Sequence, residues 1–317
     1  MNSFTEIIGQ DRAVQLLLQA IEADRIAPAY LFAGPDGVGR SLTARCFIEQ
    51  LFCAKVPANR EQEKKRISAG NHPDLLWVEP TYLHNGERLS AAEAAQKGLK
   101  RKAPPSIRLE QVREITQFLS RPPLMAPRSL VVLEQAETMA EAAANALLKT
   151  LEEPGRATII LIAPSAESLL PTLVSRCQRI PFYRLTTEAM TQVLREKGHG
   201  EILEHGEIVA IAQGSPGEAI ASMEQLQAIP AELIEAVKHP PKKLREALEL
   251  ARQIDKNLDT EAQLWLIDYL QHCYWEQFLD RAIIEKLEKA RKCLQKFAQP
   301  RLVWEVTLME MSQAAAL

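Results

Sequence analysis

A glycine-rich stretch between an apolar run and an amphipathic segment limits the possible folds of this chain more than any other feature. Residues 34–41 read GPDGVGRS, and they follow the apolar run AYLFA at 29–33. A buried strand, a glycine turn and a helix form the setting in which backbone N–H groups face phosphate oxygens. The spacing predicts a phosphate loop, with a ligand-free glycine turn as the alternative. Its candidate binding residues are Gly34, Gly37, Gly39, Arg40 and Ser41.

One residue departs from the usual pattern of such loops. Arg40 stands where the pattern has a lysine. A lysine reaches the β- and γ-phosphates as a compact charge, whereas a guanidinium is longer, planar and forked, so the exchange is not conservative. The arginine at position 40 does not by itself exclude nucleotide binding, but it would alter the geometry of the bound nucleotide.

Strands and helices alternate over the first 183 residues. Helical spacing of apolar residues separates the predicted strands, most clearly in the segment 140–152. This alternation predicts a doubly wound α/β domain with a parallel sheet. The predicted strands lie at 29–33, 75–78, 130–133, 158–162 and 179–182.

The strand signal ends after residue 183, and only helical patterns follow. We therefore predict three domains, at 1–183, 184–227 and 228–317, of which the last two are helical. The predicted helices lie at 188–197, 201–213, 216–226, 244–254, 262–279, 282–297 and 302–311.

Two hydrophilic insertions interrupt the α/β domain. The insertion at 55–71 is charged, and we expect it to be mobile. The insertion at 81–106 carries a basic cluster for which a solvated loop is the usual explanation and a phosphate contact the alternative. That cluster consists of Lys97, Lys100, Arg101 and Lys102.

Charge and cysteine usage exclude several classes of protein. A net charge of −3 gives no global basic field that would draw the chain to nucleic acid or membrane. The five cysteines form no C-x-x-C pair, which is typical of reduced thiols. His272 and Cys273 are adjacent, but without a second ligand pair they indicate a packed helix face. With no apolar run of membrane-spanning length and no signal peptide, we expect a cytoplasmic protein.

The residues after the strand at 130–133 bear on catalysis. Glu134 and Gln135 stand where an ATPase has an aspartate for Mg²⁺ and a glutamate that activates water. Glu134 can reach a hydrated Mg²⁺, although its extra methylene displaces the carboxylate. Gln135 is a neutral amide and cannot take a proton from water. As a catalytic centre, the predicted site is therefore defective at Arg40 and at Gln135.

Five motifs carry a resemblance to a known family: IGQ at 8–10, YLFAGP at 30–35, HPDL at 72–75, EAAANALLKTLEEP at 141–154 and SRC at 175–177. With these motifs, the chain resembles, nearly end to end, the DNA polymerase III clamp-loader subunits of the AAA+ superfamily. The long string ending in LLKTLEEP, followed by SRC, is the most specific part of the resemblance. The resemblance implies an AAA+ P-loop domain at 1–183, a helical lid at 184–227 and a helical oligomerisation collar at 228–317.

Within this superfamily, the pattern is similar to the delta-prime family, which has an ATPase-like fold and generally does not hydrolyse ATP. That family supplies the arginine of SRC to a neighbour's nucleotide, and Arg176 occupies this position. An arginine provided in trans stabilises charge that develops on the transferred phosphoryl group. An ordinary surface arginine is the alternative. The family's sensor arginine is absent from GSPGE at 214–218, and Ser165 is only a marginal polar sensor.

The resemblance also implies partners and cofactors. The partners are the gamma/tau motor subunits and the delta subunit, with the sliding clamp and primer-template DNA reached through the complex. Zinc is not expected, because Cys53 is the only cysteine between the loop helix and His72. The resemblance implies that no cofactor is required, and it does not decide whether the chain binds ATP and Mg²⁺. Two rival hypotheses are an active ATPase that uses Arg40 and Glu134, and an AAA+ scaffold outside replication.

Overall fold

A computed structural model describes residues 3–53, 60–97, 104–153 and 155–314. The chain divides into two compact units, 1–190 and 191–317, which we treat separately. Four residues singled out from the sequence lie outside the described residues: Lys100, Arg101 and Lys102 of the basic cluster, and Pro154 of the LEEP string.

The first unit contains the predicted parallel sheet. Five strands pair in the order β2-β5-β6-β1-β7, and every pairing in this sheet is parallel. Its central strands are almost entirely apolar, with Ser129 and Thr158 as polar exceptions, because helices cover both faces of such a sheet. The strands are β1 (Ala29–Ala33), β2 (Leu75–Val78), β3 (Tyr82–His84), β4 (Glu87–Leu89), β5 (Ser129–Leu133), β6 (Ala157–Ala163) and β7 (Gln178–Pro181).

Helices connect these strands, and one of them, at Glu141–Glu152, lies where the segment 140–152 predicted a helix, which confirms the α/β prediction. One hydrophobic cluster joins the sheet to the apolar faces of the connecting helices, where Val112, Leu147 and Leu173 are fully buried or nearly so. The helices are α1 (Asp11–Glu22), α2 (Arg40–Cys53), α3 (Arg60–Ser68), α4 (Ala91–Gln96), α5 (Leu109–Leu119), α6 (Glu141–Glu152) and α7 (Pro171–Val174).

Both hydrophilic insertions contain secondary structure that the sequence analysis did not predict. The first includes α3, in which Lys64 forms an ion pair with Glu49 of α2 at 3.3 Å. The second includes the β3–β4 hairpin, whose turn residues Asn85 and Gly86 have φ of 51° and 85°. An Asn-Gly pair with two positive φ values is a strong hairpin signal. Each of its strands has only three residues, too few for hydrophobic periodicity to reveal them.

The second unit is helical, as predicted, and has no strand among the residues described between 191 and 314. The single helix predicted over 201–213 is two pieces, a 3₁₀ helix (Gly200–Glu204) and an α-helix (Gly206–Ala212). The division into lid and collar at 227 stays a prediction. The helices are α8 (Thr187–Glu196), which crosses the unit boundary, α9 (Gly206–Ala212), α10 (Pro216–Ala228), α11 (Ala231–Val237), α12 (Leu244–Asn257), α13 (Thr260–Phe278), α14 (Arg281–Gln295) and α15 (Pro300–Ala314).

A buried polar contact fixes the packing of the later helices. The Trp304 indole donates a hydrogen bond to the Gln263 side-chain oxygen at 2.9 Å, and the Gln263 amide donates to the Leu258 carbonyl at 2.9 Å. Burying these groups is tolerated because each is paired. Within the described ranges, no helix combines the length and apolarity needed to cross a bilayer.

Candidate functional site

The glycine loop has the geometry of a phosphate loop. Gly37 and Gly39 adopt φ of 69° and 100°, values that residues with a side chain rarely adopt. The helix α2 begins at Arg40, the residue after Gly39. A Cβ on Gly34 would lie 2.4 Å from the Phe182 carbonyl oxygen, so only glycine fits there. The predicted strand, turn and helix setting is therefore present.

The Arg40 side chain stays inside this loop. It is only 7% exposed, and its Nη2 donates a hydrogen bond to the Asp36 carboxylate, four residues earlier. Its Nη1 is buried and has no hydrogen-bond partner among the described residues. The guanidinium thus forms an ion pair within the loop and retains donor capacity.

Ser41 and Glu134, two residues of the predicted nucleotide site, lie next to each other in the structure. The Ser41 side chain lies close enough to the Glu134 carboxylate to interact with it. Burial raises the pKa of Glu134, while the interaction with Ser41 and the Arg40 charge oppose the shift. A hydroxyl and a carboxylate are hard oxygen ligands that suit Mg²⁺, so these two residues fit the ion.

Two further carboxylates surround the same loop. Burial raises the pKa of Glu137, and the negative charges of Asp36 and Glu134 add to this effect. Gln135 itself adopts a left-handed conformation with φ of 47°, immediately after β5. Its amide offers no base for water activation, so the catalytic defect inferred from the sequence stays in the folded chain.

Gln10, which the sequence analysis used only as part of the IGQ motif, holds the loop in place. Its side-chain amide donates hydrogen bonds to the carbonyls of Val38 and Tyr183 at 3.2 and 2.7 Å. The Tyr183 amide donates back to the Gln10 side-chain oxygen at 3.1 Å. This residue therefore links the phosphate loop to the segment after β7.

The HPD motif has a structural role that the sequence did not reveal. Asp74 is 2% exposed, and its carboxylate accepts backbone hydrogen bonds from Leu124, Met125 and Ala126 at 2.6–2.7 Å. The motif thus fixes the loop before β5, and Leu124 on that loop is 79% exposed.

His72 of the same motif is buried between two partners. Its Nε2 lies 3.0 Å from a Glu63 carboxylate oxygen, and its Nδ1 accepts the Asp74 backbone N–H at 3.1 Å. Burial lowers the pKa of His72, although Glu63 and Asp74 oppose the shift.

Arg176 lies at the opposite edge of the sheet from the phosphate loop. The loop follows the carboxyl end of β1, whereas Arg176 precedes the amino end of β7, which pairs in parallel with β1. The length of a strand, roughly 15 Å, therefore separates Arg176 from the loop of its own chain.

The guanidinium of Arg176 is held by two acceptors. Its Nη2 donates to a Glu152 carboxylate oxygen at 2.7 Å, and its Nη1 donates to the Thr172 carbonyl at 3.0 Å. Both charged side chains are accessible, at 37% and 53% exposure. The adjacent thiol of Cys177 packs against the core, and burial raises its pKa to about 11, which makes it a poor nucleophile.

The positions considered for sensor residues have local hydrogen bonds. Ser165 forms a side-chain hydrogen bond with Glu167. Ser215 is fully buried and caps α10 by accepting the backbone N–H of Glu218 at 3.2 Å. The cap formed by Ser215 and the Glu218 backbone therefore gives the GSPGE segment a structural role at the start of α10.

Comparison with protein families covers almost all of the chain. Residues 9–186 match the family described as DNA polymerase III, delta subunit. Residues 188–311 match the family described as the cyanobacterial DNA polymerase III delta prime, C-terminal domain.

Individual relatives have related names. DNA polymerase III subunit delta prime of Bacillus subtilis is 34% identical over 59% of this chain and 52% of the relative. The subunit of the same name from Pseudomonas aeruginosa is 34% identical over 60% of this chain and 54% of the relative. The match thus spans about half the length of each.

A solved structure also aligns with the chain. A DNA polymerase III gamma subunit-related protein of Thermotoga maritima has a TM-score of 0.48 and 20% identity, covering 96% of this chain and 99% of its own. The family assignment comes from the sequence matches, one of which extends over more than half of the chain. The chain therefore belongs to the delta prime family of DNA polymerase III subunits.

Proposed function

We propose that the chain is the delta prime subunit of a DNA polymerase III clamp loader and that it does not hydrolyse ATP. In this role it presents Arg176 to the nucleotide of a neighbouring motor subunit during loading of the sliding clamp. The observation that carries the proposal is the exposed guanidinium of Arg176 at the sheet edge opposite its own phosphate loop.

This placement favours action in trans. Roughly 15 Å of strand is more than an arginine side chain spans, so Arg176 does not reach a phosphate held in its own loop. A neighbour that packs its nucleotide against the amino edge of the sheet would bring phosphate to the guanidinium. An arginine supplied in this way stabilises the charge of phosphoryl transfer.

The chain's own loop supports a role without hydrolysis. Gln135 supplies no base, and Arg40 is bound to Asp36 within the loop. Ser41 and Glu134 would hold Mg²⁺ if nucleotide were bound, and the ion would then neutralise charge between the phosphates. The residues of this chain would bind and orient such a nucleotide, while Gln135, at the position of the catalytic glutamate, supplies no base that activates water.

The family assignment suggests the partners. Relatives at 25–26% identity are named DNA polymerase III subunit tau and subunit gamma/tau. We propose these motor subunits and a delta subunit as neighbours in the cytoplasm, with clamp and primed DNA reached through the complex. Neither zinc nor another cofactor is required in this proposal, and residues 228–317 would form the oligomerising collar.

Substituting Arg176 with alanine tests the proposal in the reconstituted complex. ATP turnover should fall because removal of an arginine finger costs roughly 10³-fold or more at the site that it serves. The matched control is Arg179→Ala, which removes another exposed arginine three residues away. Unchanged turnover in the Arg176 variant, with normal assembly, would contradict the arginine-finger role.

A second candidate, nucleotide binding by this chain, is favoured by the unpaired Nη1 of Arg40. Labelled ATP and the isolated protein separate binding from hydrolysis. Retained but uncleaved ATP would agree with a non-hydrolysing subunit, whereas turnover would favour the active ATPase that uses Arg40 and Glu134.

Co-purification tests the remaining alternative, a scaffold outside replication. Tagged protein should retain the gamma/tau and delta subunits. Failure to retain either would favour the scaffold alternative.

A further inference from the structure

We infer that Glu152 is a positioning residue for Arg176 and fixes the guanidinium in the orientation that meets the neighbour's nucleotide. This inference rests on the proposed function and adds a second residue to it. The direct evidence is the 2.7 Å hydrogen bond from Arg176 Nη2 to Glu152 Oε1.

The hydrogen bonds leave part of the guanidinium available. Arginine has five N–H donors in a planar fork. Glu152 and the Thr172 carbonyl each accept one of them, which leaves three donors for phosphate oxygens. Two fixed contacts on one planar group restrict its rotation, so the orientation is set before a ligand arrives.

Both acceptors stand on well-packed elements. Glu152 is the last residue of α6, and Thr172 belongs to α7. Leu151 beside Glu152 is 5% exposed, and Leu173 beside Thr172 is fully buried in the same hydrophobic cluster. A positioning group on such a support holds its partner accurately, because its own backbone has little freedom.

Local helix chemistry does not explain the glutamate. A carboxylate in the last turn of a helix faces the negative end of the helix dipole, which is unfavourable. The Arg176 guanidinium compensates by placing a positive charge at the end of α6. The next residue, Glu153, is exposed, and the side-chain hydrogen bonds of Arg176 among the described residues go to Glu152 and Thr172 instead.

The ion pair contributes little to stability, because both partners are largely accessible to water. Its loss should therefore appear in catalysis by the assembled complex and leave the folding of the subunit unchanged. This separation makes the inference testable with the intact complex.

The experiment compares Glu152→Ala, Glu152→Gln and the neighbouring control Glu153→Ala in the reconstituted clamp loader. Glu152→Ala should lower kcat, and on a logarithmic scale this decrease should be roughly half or more of the decrease that Arg176→Ala causes. KM for ATP should be unchanged. Glu152→Gln keeps an oxygen acceptor for Nη2 and should restore most of the activity. Glu153→Ala should match wild type.

A double variant shows whether Glu152 acts through Arg176. In the Arg176→Ala background, Glu152→Ala should cause no further loss, because the group that it positions is already absent. An additive loss would overturn the inference, as would a Glu152→Gln variant as impaired as Glu152→Ala.

The remaining outcomes separate the inference from the proposed function. If Arg176→Ala lowers turnover and Glu152→Ala does not, the positioning role is wrong and the arginine finger stands. If neither substitution changes turnover in an assembled complex, the arginine-finger role of Arg176 and the positioning role of Glu152 are both wrong.

Discussion

The Ser41 side chain lies beside the carboxylate of Glu134, which brings the first turn of α2 to the end of β5. In a nucleotide site these two positions would share an Mg²⁺ ion. Here they contact each other directly, and burial raises the pKa of the carboxyl group. The raised pKa of Glu134 is therefore a property of this site that can be measured.

Glu134→Gln should change the pH dependence of stability. A carboxyl group with a raised pKa in the folded state holds its proton to higher pH than in the unfolded chain. Folding stability therefore falls as pH rises from about 4.5 through the raised pKa. Glutamine still accepts from Ser41 but does not titrate, so the variant should lack this fall and be more stable at pH 7.

Amide hydrogen exchange of β5 between pH 4 and 8 measures this difference. Glu153→Gln, at an exposed position, is the control. Equal pH profiles for Glu134→Gln and wild type would show that Glu134 does not titrate differently in the folded state.

Gly34→Ala should destabilise the first unit by about 1–3 kcal/mol, because the added Cβ overlaps the Phe182 backbone. The matched control is Gly206→Ala in α9, where a Cβ meets no atom within 4 Å. Urea unfolding of both variants gives the comparison. An equally small effect at the two positions would mean that the loop moves freely away from Phe182.

Asp74→Asn should loosen the loop before β5. The carboxylate accepts three backbone N–H groups, whereas an asparagine amide presents its own N–H donors to some of them. We expect a loss of about 2–3 kcal/mol, because hydrogen bonds to a charged acceptor are among the stronger ones. Hydrogen exchange should accelerate at residues 124–126, while the exposed control Asp24→Asn should leave these amides protected.

His72→Asn should reduce the acid sensitivity of the first unit. A histidine whose pKa is lowered in the folded state resists protonation, while the unfolded chain binds the proton near pH 6.5. Wild-type stability should therefore fall as pH drops below about 6.5 towards the lowered pKa. Asparagine keeps an acceptor for the Asp74 N–H but does not titrate over this range.

The slope of unfolding free energy between pH 7 and 5.5 is the measurement for His72. The slope is compared because the free energy of unfolding at any single pH also reflects the lost contact with Glu63. His199→Gln, at a partly exposed position of the second unit, is the control. An unchanged slope in His72→Asn would show that other groups cause the acid sensitivity.

Several features could be predicted because they depend on neighbours in the sequence. The glycine loop required only the apolar run before it and the helix after it, and β1 and β2 have the predicted bounds. The β3–β4 hairpin was missed because each of its strands has only three residues, although Asn85 and Gly86 carry the signal of its turn.

By itself, the sequence determined the parallel α/β domain, the helical second unit, the altered residues Arg40 and Gln135, and the SRC motif. Only the tertiary structure decided which distant groups meet. The Ser41–Glu134 interaction depends on β1 and β5 ending at the same sheet edge, and the Glu152–Arg176 pair depends on how α6 packs beside α7. Periodicity reports which face of an element is buried, but contacts between remote polar side chains follow from strand order and packing.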